Sequence, residues 1–165
     1  MQDFTAVDFK VVKGYRKCSY QIGLDRVEKF ELKFELNLLM QPPAKYNQHN
    51  HLDLHNLSFE SKSSLLSFDD IWHKIEPFIK NQTVIAYDGL AFEFPVICSA
   101  FKFYDVSKMF HREGIAEVII HQDDKLLSLC KEYHIPVNWY DALSVARACA
   151  ALYGIYLYKN KWQIL

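Results

Sequence analysis

From Phe30 to Leu38 every second side chain is apolar. Phe30, Leu32, Phe34, Leu36 and Leu38 fall on one side, and Glu31, Lys33, Glu35 and Asn37 fall on the other. Such a segment reads as a strand with one face buried and one face wet. Further on the period changes. Phe68, Ile71, Trp72, Ile75, Phe78 and Ile79 recur at three- and four-residue spacing, the signature of an amphipathic helix. A chain that moves from period two to period 3.6 must lay helices against a sheet, which predicts an α/β fold.

The remaining elements fit around these two. Residues 3–9 read as a buried strand, and residues 18–28 as a second, with Tyr20, Ile22 and Leu24 alternating. Three successive strands predict an antiparallel meander. Gln41-Pro42-Pro43 ends it, and the polar, His- and Asn-rich stretch from Ala44 to Ser67 reads as loop. Ser67, with Asp70 three residues on, resembles a capping box for the helix that starts at Phe68. Pro77 is expected to weaken or end its last turn. Thr83-Val84-Ile85-Ala86 is short and apolar, as a buried parallel strand is. Helices are predicted over about 90–103, from Asp124 to Tyr133, and from about Tyr140 to Tyr153, with Gly154 as the last stop signal. A short strand over 115–120 completes the set. Residues 155–165 then read as a C-terminal hairpin or extended arm beyond a domain of residues 1–154.

Composition narrows the function classes. The chain has 165 residues, half of them hydrophobic and 15% aromatic, enough for one domain with a real core. Its formal net charge is −1 and no run of Lys or Arg exceeds two. That argues against a strong non-specific nucleic-acid binder, which carries a basic patch. Cys18, Cys98, Cys130 and Cys149 are far apart and form no CxxC pair. They read as reduced thiols in a cytoplasmic protein. No apolar run is long enough to span a membrane, and Met1-Gln2-Asp3 leads straight into a strand with no signal peptide.

The same residues, in order, resemble the DnaQ-like (DEDDh-type) 3′–5′ exonuclease family. Tyr20-Gln21-Ile22-Gly23 is similar to the family's second strand, and Leu54-His55-Asn56-Leu57-Ser58 to its "I-H-G-I-T" segment. Val84-Ile85-Ala86-Tyr87-Asp88-Gly89-Leu90-Ala91-Phe92-Glu93 is similar to "V-A-H-N-A-x-F-D". Leu126-Leu127-Ser128-Leu129-Cys130, Ile135-Pro136 and Tyr140-Asp141-Ala142-Leu143 resemble the closing "L-x-x-L-C … G-I … H-D-A-L". The resemblance implies a ribonuclease-H-like mixed sheet, an antiparallel three-strand meander continued by parallel strands, flanked by helices.

It also implies a site. The family holds two divalent metals, Mg²⁺ or Mn²⁺, on four carboxylates, with a histidine as base; the ions sit roughly 3.5–4 Å apart. Carried over position by position, the first Asp is Asp8 and the Glu two residues later is Lys10. The middle Asp is Glu93, the His is Tyr140 and the last Asp is Val145. Asp8, Lys10, Glu93 and Val145 together supply a net of one negative charge where the family pattern has four. Tyrosine, with a reference pKa of about 10, is a poor base near neutrality. Asp8 and Glu93 are the remnants of the site and weak candidate metal ligands, and the ammonium of Lys10 takes the place of metal charge. No cofactor is expected. His55, Tyr87 and Asp88 fall on positions that face nucleic acid.

Other features have plainer readings. His49, His51 and His55 fall within seven residues, but structural zinc sites show four tightly spaced ligands, so a solvated loop is the simpler account. Tyr87, Phe103, Tyr104, Phe110 and Tyr140 could stack bases, although aromatics at this density are more often core. Tyr140 and Val145 themselves read as packing residues.

These readings converge on a degenerate exonuclease domain acting as a binding module for nucleic acid, single-stranded or at a 3′ end, or for a protein partner. One alternative is an active 3′–5′ exonuclease with an altered metal site, using one metal on Asp8 and Glu93 or acids supplied by Asp88 and Asp141. Another is a self-associating structural protein.

Overall fold

The computed structural model describes residues 3–11, 19–40, 65–80, 82–87 and 126–161. Strands β1 (Phe4–Val11), β2 (Ser19–Glu28) and β3 (Glu31–Leu39) form the meander. Helix α1 (Phe68–Ile79) follows, then β4 (Val84–Ile85), α2 (Leu126–Glu132) and α3 (Ala142–Lys161). The strand order is β3-β2-β1-β4. β1–β2 and β2–β3 pair antiparallel, and β4 joins β1 in parallel, with Thr5 opposite Val84. This is the predicted mixed α/β sheet.

Because side chains alternate across a strand, each strand serves both faces. Val7, Phe9, Ile22 and Leu24 pack under Ile71, Trp72, Ile75 and Ile79 of α1. Phe4, Ala6 and Ile85 pack on the other side against α2 and α3 through Leu126, Cys130, Val145, Cys149 and Tyr153. The small residues Ala142, Ala146 and Ala148 of α3 are fully buried, so this helix lies close on the sheet. Cys130 and Cys149 are buried thiols that form no disulfide.

The cap at Ser67 is formed as expected: Ser67 accepts from the Asp70 N–H, and the Asp70 carboxylate accepts from the Ser67 N–H in return. Pro77 lies inside α1, which closes within one further turn. Pro77 cannot donate to the carbonyl four residues back, and its ring crowds that turn, which agrees with a helix that ends soon after it.

Two expectations change. Phe30 is not in the strand: Lys29 and Phe30 form the two-residue hairpin turn, at φ 53° and 65°. Both are in the left-handed region that such turns require. Neither is Gly, Asn or Asp, so the alternating pattern ran on through the turn unmarked. The β2–β3 ladder also slips: Arg26 pairs with Phe34 but Val27 with Leu32, so Lys33 is an extra residue on β3, and Leu32 is half exposed.

The tail differs more. α3 runs through Gly154 to Lys161, so residues 155–161 are helix and not a hairpin or extended arm. A mid-helix Gly costs about 1 kcal/mol relative to Ala, which packing on both sides of it offsets. Tyr153 meets Phe4 edge-on at 4.9 Å, and Leu157, one turn on, joins the same cluster. The helix 90–103, the strand 115–120, the loop 44–64 with its histidines, Cys18, Cys98, Phe103, Tyr104 and Phe110 lie outside the described residues. Among the described residues no helix is long and apolar enough to cross a membrane.

Candidate functional site

The site grows from the ends of β1 and β4, the carboxyl edge where open α/β sheets place ligands. Asp8 and Lys10, two apart on β1, point to the α3 side. Their neighbours on β2 are Gly23 and Gln21. Gly23 is needed there: a Cβ would lie 2.2 Å from the Ala142 carbonyl carbon and 2.2 Å from the Leu143 nitrogen. The missing side chain lets the first turn of α3 press onto the sheet beside Asp8.

A chain of polar groups fixes that first turn. Asp141 is its N-cap, its carboxylate accepting from the Ser144 N–H at 2.9 Å. Asn37 Nδ2 donates to the other Asp141 oxygen at 3.5 Å, and Gln21 Nε2 donates to Asn37 Oδ1 at 2.9 Å. Gln21 Oε1 accepts from the Ala142 N–H at 3.4 Å. These bonds satisfy orphan donors at the helix start. Asn138 braces the preceding loop, accepting from the Tyr140 N–H and donating its own N–H to Ser144 Oγ.

The braced loop sets Trp139 over Lys10. The ammonium lies 5.2 Å from the Trp139 ring centre, within cation–π range. Tyr87, just past β4, meets the same ring edge-on at 5.5 Å. Below, Lys10 Nζ lies 2.8 Å from Asp8 Oδ2, and both side chains are largely buried. This is a close ion pair whose geometry falls short of a well-aligned hydrogen bond. Burial pushes the Asp8 carboxyl up to about 6; the Lys10 ammonium opposes the rise, and Asp141 adds to it. Burial also raises the Tyr20 hydroxyl, with Asp8 contributing.

The positions expected to carry chemistry separate accordingly. Asp8, Lys10 and Tyr87 come together. Val145 is fully buried in the α2–α3 cluster and offers no ligand atom. Tyr140, read as a packing residue, is instead 78% exposed, because the turn before α3 carries it outward. Glu93, His55 and Asp88 lie outside the described residues.

Among the described residues, the donors do not make a two-metal set. Asp8 faces an ammonium, Asp141 is spent on a helix cap, and the described residues contain no group of three His, Cys, Asp or Glu able to hold a metal. Trp139 was not singled out from the sequence, nor was the Gln21–Asn37–Asp141 chain. The available signal was an aromatic pair, Trp139-Tyr140, at the position of the family's histidine.

No protein-family model matches the chain, and no curated protein does. Solved structures do. The zinc-bound E. coli ExoI–ssDNA complex superposes with a TM-score of 0.71 over 92% of this chain and 40% of that one, at 13% identity. Cell-death related nuclease 4 gives 0.66 over 96% and 64%, at 11% identity. A 3′-exonuclease that recognises the 3′ end of a histone mRNA stem-loop gives 0.64 over 96% and 82%, at 9% identity. The fold is that of the DnaQ-like exonucleases. Within this exonuclease fold, the chain spans about two fifths of the length of ExoI.

Proposed function

We propose that this domain binds a single nucleic-acid strand at the carboxyl edge of its sheet and does not cut it. One observation carries the reading: the ammonium of Lys10 sits 2.8 Å from Asp8, where the resemblance calls for metal charge. An internal counter-ion balances the charge of the carboxylate and competes with any divalent cation for it. The aromatic surface supports the binding half. Trp139 is 39% and Tyr140 78% exposed, side by side at the mouth of the site, and base–aromatic stacking is worth about 1–3 kcal/mol per base. Structures of the same fold hold ssDNA and a histone mRNA stem-loop, which agrees with a strand as ligand.

The test is fluorescence anisotropy with labelled single-stranded oligonucleotides, first in a chelator and then with Mg²⁺ or Mn²⁺. Binding is expected in both, without shortened products. Trp139→Ala is expected to weaken it by about tenfold, the equivalent of one lost stack. Shortened products that disappear in Asp8→Ala would sink this reading. They would favour the second one, an exonuclease with an altered metal site in which Asp141, already felt electrostatically by Asp8, supplies a second acid.

A further inference from the structure

Trp139 keeps ring surface open to solvent, yet the ring is fixed by three sets of contacts. The Lys10 ammonium lies over it, 5.2 Å from the ring centre. Tyr87 meets it edge-on at 5.5 Å. Asn138, next to it in the chain, braces the loop through Tyr140 and Ser144. A ring set in place before its ligand arrives spares that ligand the cost of ordering it.

Lys10 is an odd cation for a phosphate site. Its side chain is only 14% exposed, and Asp8 lies against the ammonium at 2.8 Å. A lysine that binds phosphate acts as a point charge that has to reach the backbone. Here the head is enclosed between a carboxylate and an indole, and its charge is already balanced. What that charge still acts on is the ring. An ammonium is attracted to a tryptophan face, most strongly where water is excluded.

We propose that Lys10 is a positioning residue for Trp139 and, resting on the strand-binding reading above, that the strand is held here by a base stacked on that ring and not by a phosphate on Lys10. Asp8 anchors the ammonium, the ammonium holds the indole, and a base takes the ring surface that stays exposed. The ligand at this point is a nucleotide with its base in place. Sugar and phosphate alone do not suffice.

A double-mutant cycle on the full chain tests this, read by fluorescence anisotropy with a short labelled single strand. A strand of equal length made of abasic nucleotides, which keeps every phosphate, is the second probe. Lys10→Met alone strands the buried Asp8 carboxylate, so the change is made as Asp8→Asn/Lys10→Met. This variant is expected to bind the normal strand about threefold to fivefold more weakly, the value of a partly buried cation–π contact. In a Trp139→Ala background the same change is expected to do nothing further, since a residue that acts through the ring has nothing left to act on. Lys10→Arg keeps a cation that stacks on aromatic faces and keeps binding. Wild type is expected to bind the abasic strand at least about tenfold more weakly than the normal one. An effect of Lys10 that persists undiminished without Trp139 overturns the proposal and makes Lys10 a phosphate contact. So does an abasic strand bound as tightly as the normal one, a result that needs no variant.

A wild type that binds no strand at all sinks the strand-binding reading, and the base contact with it. The hold of Lys10 on Trp139 is decided separately by ¹⁹F NMR of the chain labelled with 5-fluorotryptophan. The Trp139 line is expected to move in Asp8→Asn/Lys10→Met and to stay in Lys10→Arg. The line of Trp72, in the core under α1, reports that the fold is kept. A Trp139 line unmoved in the double variant overturns the positioning role.

Discussion

The two faces of this sheet share every strand and are built to different rules. Under α1 the face is apolar, and its few polar groups are closed off. Thr5 Oγ1 donates to the Phe78 carbonyl at 2.6 Å, and Arg26 donates to Thr5 and to Glu28. Under α3 the same strands present Asp8, Lys10, Gln21, Asp25, Glu35 and Asn37. Asp8 and Asp25 are each only 5% exposed, and each has an oxygen with no aligned hydrogen-bond donor. A buried carboxylate in that state is costly. Both faces bury an apolar cluster, but only the α3 face adds polar groups that stability alone would not select.

The largest effect comes from the apolar face. Phe9 is 1% exposed beneath α1, and Phe9→Ala is expected to cost about 3–5 kcal/mol in chemical unfolding, as large-to-small core changes do. A loss below about 1 kcal/mol would mean that this face adds little to stability.

The polar face is expected to respond to pH. Asp8 titrates at about 6 in the fold against an ordinary 3.8, mainly through burial, and Asp25 is pushed to about 6 for the same reason, with Glu35 adding and Arg147 opposing. A carboxyl raised on folding stabilises the protein below its unfolded value and loses that stability as pH climbs through the folded one. Two units correspond to about 3 kcal/mol for Asp8. The unfolding midpoint should thus fall between about pH 4.5 and 7, and the slope should flatten in Asp8→Asn. A midpoint that rises over this window would contradict the burial of Asp8. Glu35 and Asp70, held low by Arg147 and Ser67, titrate below it.

The smallest effect is at the rim. Arg147 grips Glu35 through two nitrogens, but its side chain is half exposed. Arg147→Ala is expected to cost about 0.5–1 kcal/mol. A loss of several kcal/mol would show that the pair clamps α3 to the sheet.

The contrast between faces also explains what could be read from the sequence. The strands, α1 and the Ser67 cap rest on periodicity and local side chains, so they were legible. The Asp8–Lys10 pair was legible too, since residues two apart on a strand share a face. The course of α3 past Gly154 was not, because the glycine signal is local whereas the packing of Tyr153 on Phe4 is not. Trp139 was missed for the same reason. Its importance depends on meeting Lys10, far away in the chain, through a loop braced by Asn138. Glu93, His55 and Asp88 lie outside the described residues, so the remainder of the site rests on resemblance.

Gly23 has a consequence for how the molecule is made. The surface it leaves open is covered by Ala142 and Leu143, which a ribosome delivers about ten seconds later at ordinary elongation rates of 5–20 residues per second. The meander, built from neighbouring strands, can assemble well before then. During that interval its α3 side stands bare. Were it as greasy as the opposite side, the nascent chain would present a sticky sheet to its surroundings. The stripe of Asp8, Lys10, Gln21 and Asp25 makes that bare side more wettable than the α1 side until α3 covers it.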